Sequence, residues 1–299
     1  ALDSAHVVKV HDVDAARGQP FMVMEYVDGA DLHKVTNTLG QLPVAAAACY
    51  IRQAALGLQD AHEAGLVHRD IKPANVLVDR DGEVKLLDLG LARFFVDAGR
   101  NQNLTARFDG DGILGTADFI SPEQITHSSK VDIRSDLYSL GCTLYFVLSG
   151  RMPFDEGTSA QKLIWHQFRE PTDLSAYRDD VPLGVIEVVA KLMAKNPADR
   201  FQTPAEAAAA LAPFAGGGPF RPPADVLPKV PPSAYRMGLS AMPPPSGSGL
   251  QVNDSSPGVL LAPPPLSTDP IGQHATRPHT PPGHLPNIPP SGTLAPVRK

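Results

Sequence analysis

The stretch His68–Asn75 reads HRDIKPAN, and a second acidic stop, LLDLG, follows at Leu86–Gly90. Between them lie two short runs of strand character, NVLV (75–78) and EVKLL (83–87), joined by DRDG (79–82). DRDG is a turn sequence, with glycine at the position that strains other residues. Asp70, Asn75 and Asp88 therefore form an ordered set: an acid before a hairpin, an amide five residues later, and a second acid just after the hairpin. Paired strands are rigid supports, so the hairpin fixes the separation of the two halves.

Further upstream, VVKV (7–10) and FMVMEYV (21–27) are β-branched and apolar, with the turn RGQP before the second run, and predict an antiparallel hairpin. A long helix is predicted from Pro43, because proline at the first turn suits a missing donor. Ile51, Ala54, Ala55 and Leu58 keep one face of it apolar, and Gly65 ends it. After Ser135 the sequence is mainly helical, over 136–149, 159–168, 183–195 and 204–213, and Val185, Val188, Val189 and Leu192 recur at helical spacing. A small strand-rich part thus precedes a larger helical part, an α+β arrangement.

Composition divides the chain. Of 31 prolines, 21 lie from Pro219 onward, in PP and PPP blocks among Gly, Ser and Thr. Proline removes amide donors and fixes φ, and apolar residues there are too scattered to offset ordering entropy. Residues 215–299 therefore read as a disordered, locally extended linker. They carry six basic and three acidic residues, whereas the whole chain has a formal charge of −6, so the front region is the acidic one. That balance argues against a nucleic-acid partner. The two cysteines, Cys49 and Cys142, are far apart and lack CxxC spacing, which excludes a disulfide framework and a thiolate metal site and fits a reducing cytosol. The most apolar stretch, LYSLGCTLYFVL (137–148), is too short to span a membrane, which takes about 20 residues, and reads as a core helix. No signal peptide is visible.

The acid–amide–acid order points to phosphoryl transfer. That reaction needs an oriented hydroxyl, cations bridging the phosphates and nearby positive charge more than covalent help. Asp70 suits the role of holding the attacking hydroxyl or accepting its proton. Asn75 and Asp88 supply hard oxygen ligands for Mg²⁺. Lys72, two residues from the acid, can neutralise the transferring group.

HRDIKPAN, followed by DLG, GTADFISPE (115–123) and SDLYSLG (135–141), resembles protein kinases of the eukaryotic type, and most of all the bacterial Ser/Thr kinases. The resemblance covers about residues 6–213. It implies a two-lobe kinase fold over 1–213, with a truncated N-lobe remnant at 1–28 and a complete, mainly helical C-lobe at 29–213, then a disordered proline-rich tail over 214–299. It implies ATP and Mg²⁺ as cofactors, with Mn²⁺ as a substitute, and protein substrates bearing Ser or Thr. Residue by residue, Met24 matches the gatekeeper, Glu25 to Val27 the adenine-binding hinge, Asp31 the acid near the ribose, and Leu77 the residue beneath the adenine. His68 and Leu89 match members of the internal hydrophobic spine. Arg69 marks kinases controlled by loop phosphorylation, and Thr105 is the one hydroxyl between Leu91 and Gly115, hence the expected autophosphorylation site. Lys72 and Thr116 match Ser/Thr rather than Tyr specificity, with Thr116 bridging Asp70 and Lys72. Glu123 is expected to pair with Arg200, and Asp136 to anchor the catalytic-loop backbone. DLG for DFG and SPE for APE are conservative departures.

The larger departure is upstream. No GxGxxG, VAIK or helix glutamate precedes Val7. A fragment of a longer gene and a non-catalytic pseudokinase scaffold are the two explanations, with a proline-rich adaptor as a third reading. The retained set of Asp70, Lys72, Asn75, Asp88 and Thr116 favours the fragment. Residues 1–299 alone are then expected to turn over ATP negligibly. The kinase region is expected to be cytoplasmic, with self-association for autophosphorylation, no membrane segment within the chain, and membrane tethering only through sequence beyond Lys299.

Overall fold

The computed structural model describes residues 2–16, 19–89, 117–126 and 131–228. The chain divides into two units, Ala1–Ser240 and Ala241–Lys299, and every described residue belongs to the first.

Strands β1 (Val10–Ala16) and β2 (Gln19–Met24) form an antiparallel hairpin, with Val10 opposite Met24 and Asp14 opposite Phe21. The hairpin is where the sequence puts it, but its first strand is not VVKV. Val7 and Val8 are buried instead, and they lie along a later strand: the Val8 N–H donates to the Leu86 carbonyl at 2.9 Å. The pairing strand is the polar HDVDAA run that follows. Asp12 and Asp14 there each accept the next residue's N–H, at 2.8 and 2.7 Å. Burial of the valines decides the register, so the strand begins where the apolar run ends.

Strands β3 (Gly29–Asp31), β4 (Val76–Asp79) and β5 (Val84–Leu86) make a second antiparallel sheet in that order. The β4–β5 hairpin turns through Gly82, whose φ of 87° lies where a side chain is strained. Helix α1 (Leu32–Leu39) follows β3 directly, and α2 (Val44–Glu63) starts immediately after Pro43. Ile51, Ala54, Ala55 and Leu58 are all completely buried. The helical part continues with α3 (Pro122–Thr126), α4 (Ile133–Ser149), α5 (Ser159–Phe168), α6 (Leu183–Leu192) and α7 (Pro204–Leu211). Helix α4 begins three residues before the expected 136 because Asp132 caps it, accepting the Arg134 N–H at 2.9 Å.

Every residue from Ser135 to Ser149 is buried, so α4 is the central core helix. Its hydroxyls are accommodated by bonding back along the helix, Thr143 Oγ1 to the Ser139 carbonyl at 2.9 Å and Ser149 Oγ to the Tyr145 carbonyl at 2.7 Å. Cys49 and Cys142 are both buried free thiols, and burial pushes the Cys142 thiol up to about 12. Among the described residues no helix is long and apolar enough to cross a membrane.

Past the composition boundary at residue 214, the chain up to Pro228 packs onto the folded unit. Val226 is completely buried and Leu227 nearly so. Tyr50 Oη donates to the Phe220 carbonyl at 2.7 Å, and Arg80 Nη2 to the Pro228 carbonyl at 3.1 Å. Proline removes backbone donors but keeps carbonyl acceptors, and these are what the strap offers to side chains of the folded unit.

Candidate active site

The site is built on the chain between α2 and β4. It runs through His68–Lys72 into a short 3₁₀ turn, Pro73–Asn75. Asp136, buried in the first turn of α4, accepts the backbone N–H groups of His68 and Arg69, both at 2.7 Å. Burial pushes the Asp136 carboxyl up, while His68 and these two N–H groups act in the opposite sense. His68 is itself completely buried. Its Nε2 lies 2.6 Å from the Leu87 carbonyl and its Nδ1 3.4 Å from the Asp70 N–H. A carbonyl only accepts, so Nε2 carries the proton and Nδ1 is the acceptor. The imidazole thereby ties the loop before β4 to the residues after β5.

Three expected residues converge. Lys72 Nζ lies 2.8 Å from Asp70 Oδ2, and Asn75 Nδ2 lies 3.0 Å from the same oxygen and 2.7 Å from the Asp70 carbonyl. The Asn75 carbonyl accepts the Leu87 N–H at 2.9 Å, which places Asp88 beside the group through the backbone. Among the described residues, Arg69 (φ 68°) and Asp88 (φ 61°) are the non-glycine positions in the left-handed region. Such conformations cost about 1–3 kcal/mol each and persist only where the surroundings over-determine them. One immediately precedes the acid–amide–acid set and the other is its last member.

The donor set suits Mg²⁺. The Asn75 amide nitrogen is committed to Asp70, so its oxygen is the atom left to serve a cation, together with the Asp88 carboxylate. Among the described residues no group of three acidic, histidine or cysteine side chains is placed to hold a metal ion. Mg²⁺ needs none, since it takes one or two carboxylates and completes its shell with phosphate and water.

Among the residues expected to border a nucleotide, strand register sets Asp31 opposite Leu77 and Leu77 opposite Lys85. Asp31 Oδ1 also caps α1, accepting the Lys34 N–H at 2.8 Å. Met24 ends β2 and is partly exposed, and the Val27 carbonyl accepts the Gly29 N–H at 3.0 Å. The Glu25 side chain accepts from Lys85 Nζ and from the Lys9 N–H, both at 2.9 Å. Burial works against the Glu25 carboxylate, but these two donors outweigh it and hold the group below its ordinary value. Leu89 packs against the core. Thr105 and Thr116 lie outside the described residues.

Away from the reacting groups, Arg200 Nη1 and Nη2 meet Glu123 Oε1 and Oε2 at 2.6 and 2.9 Å. Sequence reasoning passed over several partners. Lys85 faces Glu25, Arg80 pairs with Asp28 just before β3, and Lys162 pairs with Asp118 at 2.5 Å. Gln124, directly after SPE, donates from Nε2 to the Arg69 carbonyl at 2.8 Å. Its position next to a recognised motif was the one available signal.

The family model for the protein kinase domain matches residues 1–211. Serine/threonine-protein kinase PknB of Mycolicibacterium smegmatis is 36% identical over 258 residues, covering 85% of this chain and 40% of that protein. PknB of Mycobacterium tuberculosis is 38% identical, covering 73% of this chain and 35% of that protein. PknL of the same species is 39% identical, covering 67% and 48%. The chain thus spans less than half the length of these relatives. Among solved structures, that of Rad53 1–466 in complex with AMP-PNP matches with a TM-score of 0.58 and 25% identity, covering 72% of this chain and 52% of that one. The fold is accordingly two-lobed, with a small sheet-bearing lobe and a larger helical lobe. By matched length and by identity, this chain belongs to the protein kinase domain family, related to the bacterial Ser/Thr kinases.

Proposed function

We propose that this domain transfers the γ-phosphoryl group of ATP to serine and threonine hydroxyls of proteins. The observation that carries the reading is the convergence of Lys72 and Asn75 on one oxygen of Asp70, at 2.8 and 3.0 Å. With that oxygen fixed by two donors, the Asp70 carboxylate is held in one orientation to align the acceptor hydroxyl and take its proton. Lys72 brings positive charge to the place where the phosphoryl group passes. Asn75 and Asp88 would hold Mg²⁺, which would supply positive charge to offset the charge developing on the transferring group. Met24, Glu25, Val27 and Leu77 would border the adenine and Asp31 the ribose. Lys72 and Thr116 favour Ser/Thr over Tyr acceptors. Arg69 and Thr105 would form the phosphorylation-dependent control, through a charge-assisted arginine–phosphate contact, and self-association would serve autophosphorylation.

The test is to incubate the full-length protein with radiolabelled ATP, Mg²⁺ and a generic basic protein, then hydrolyse and separate the phosphoamino acids. Label on serine and threonine is expected. Label confined to tyrosine, or no label, would contradict the reading.

A further inference from the structure

We propose that Gln124 is a positioning residue for phosphoryl transfer: its side-chain amide clasps the Arg69 carbonyl and so holds the Asp70 carboxylate in register with the substrate-side segment. The inference rests on the kinase reading above and adds a residue to it.

The clasp has only one orientation. Gln124 Nε2 lies 2.8 Å from the Arg69 carbonyl, which can only accept, and Oε1 lies 3.0 Å from the Ser121 N–H, which can only donate. Both ends of the amide are thereby assigned by backbone partners, with no ambiguity of flip. The turn itself is braced, since Ser121 Oγ accepts the Gln124 N–H at 3.3 Å and lies 2.6 Å from Ser135 Oγ in α4. Gln124 is therefore a rigid peg rather than a surface side chain that happens to reach the loop.

What the peg holds is the strained residue before Asp70. Arg69 has φ 68°, a conformation that needs external support. Its N–H is held by Asp136 Oδ1 at 2.7 Å and its carbonyl by Gln124, so the peptide groups on both sides of Arg69 are pinned. The second of those peptide groups is the one that carries the Asp70 nitrogen. Loss of the Gln124 donor leaves that peptide group held only by the long contact of the Asp70 N–H to His68 Nδ1, at 3.4 Å, and so loosens the backbone that carries Asp70. The contact uses the Arg69 carbonyl and leaves its guanidinium out of the clasp, which makes this separate from any phosphate-reading role of that side chain.

The test is Gln124→Glu in the full-length protein. The glutamate fills the same volume and keeps an acceptor for the Ser121 N–H, but it sets an oxygen against the Arg69 carbonyl. A fall of about 10–100-fold in kcat is expected, the scale of a small misplacement of a reacting group. KM for ATP should stay within about twofold and the melting temperature within a few degrees. Amide hydrogen exchange at Asp70 and Ile71 should accelerate while that of α4 does not. Gln124→Met, which removes the donor without adding charge, should give the same split. Wild-type kcat and wild-type exchange at Asp70 and Ile71 in Gln124→Met would overturn the proposal, as would an exchange increase spread equally through α4. If the parent protein transfers no phosphate, the kinase reading falls, whereas the exchange measurement needs no turnover and still decides on the clasp.

Discussion

Arg200 and Glu123 meet in a two-pronged ion pair, at 2.6 and 2.9 Å, with the arginine side chain completely enclosed. Arg200 also donates to the carbonyls of Ala194, Arg134 and Lys195, at 2.7, 2.7 and 3.1 Å. It therefore joins α3 to the start of α4 and the chain after α6. Removing one partner strands the other charge in a dry site, so Glu123→Gln is expected to cost about 3–5 kcal/mol in urea unfolding. Replacing both, as Glu123→Leu with Arg200→Met, should cost clearly less than the sum of the single changes.

A pH dependence follows from His166. It is buried against Phe154 and Tyr138, with its Nδ1 2.9 Å from Tyr138 Oη. Burial, then the charge of Lys195 and, more weakly, Lys162, push its pKa from 6.5 down to about 3, with the backbone of Asp118 and Ala117 acting the other way. Between these values the unfolded chain takes up a proton that the folded one refuses. The stability this group supports is thus complete above 6.5 and is lost as pH falls towards 3. The slope is about 1.4 kcal/mol per pH unit. Urea midpoints measured from pH 7 to 4 should fall less steeply in His166→Phe than in the parent.

The strap over 220–228 is expected to depend on Gly82. That residue has φ 87°, and a Cβ there would run into the Phe220 carbonyl. Gly82→Ala should therefore destabilise by about 1–3 kcal/mol and expose the strap to limited proteolysis. Tyr50→Phe, which removes only the hydroxyl donor to Phe220, should cost about 0.5–1.5 kcal/mol.

Much of this architecture is legible in the sequence where the signal is local. The buried face of α2 follows from the spacing of Ile51, Ala54, Ala55 and Leu58, and the β4–β5 hairpin from DRDG between two apolar runs. The grouping of Asp70, Lys72 and Asn75 is likewise local, because all three lie within six residues. What was not legible depends on residues brought together from afar. Val7 and Val8 look like strand residues in isolation, but burial beside Leu86 takes them out of the hairpin. Gln124 to Arg69 and Lys85 to Glu25 join positions 55 and 60 residues apart, and no periodicity encodes them. The strap is not legible because proline content reports lost donors and is silent about carbonyls awaiting donors from elsewhere.

If Asp70 orients and deprotonates the acceptor hydroxyl, as proposed, the single-turnover rate of phosphoryl transfer by the full-length protein carrying Asp70→Asn will show it. The asparagine keeps the shape and one oxygen acceptor but cannot take the proton. A fall of about 10²–10⁴-fold is expected, with nucleotide affinity and melting temperature close to those of the parent. Transfer by Asp70→Asn at the parent rate would contradict the account.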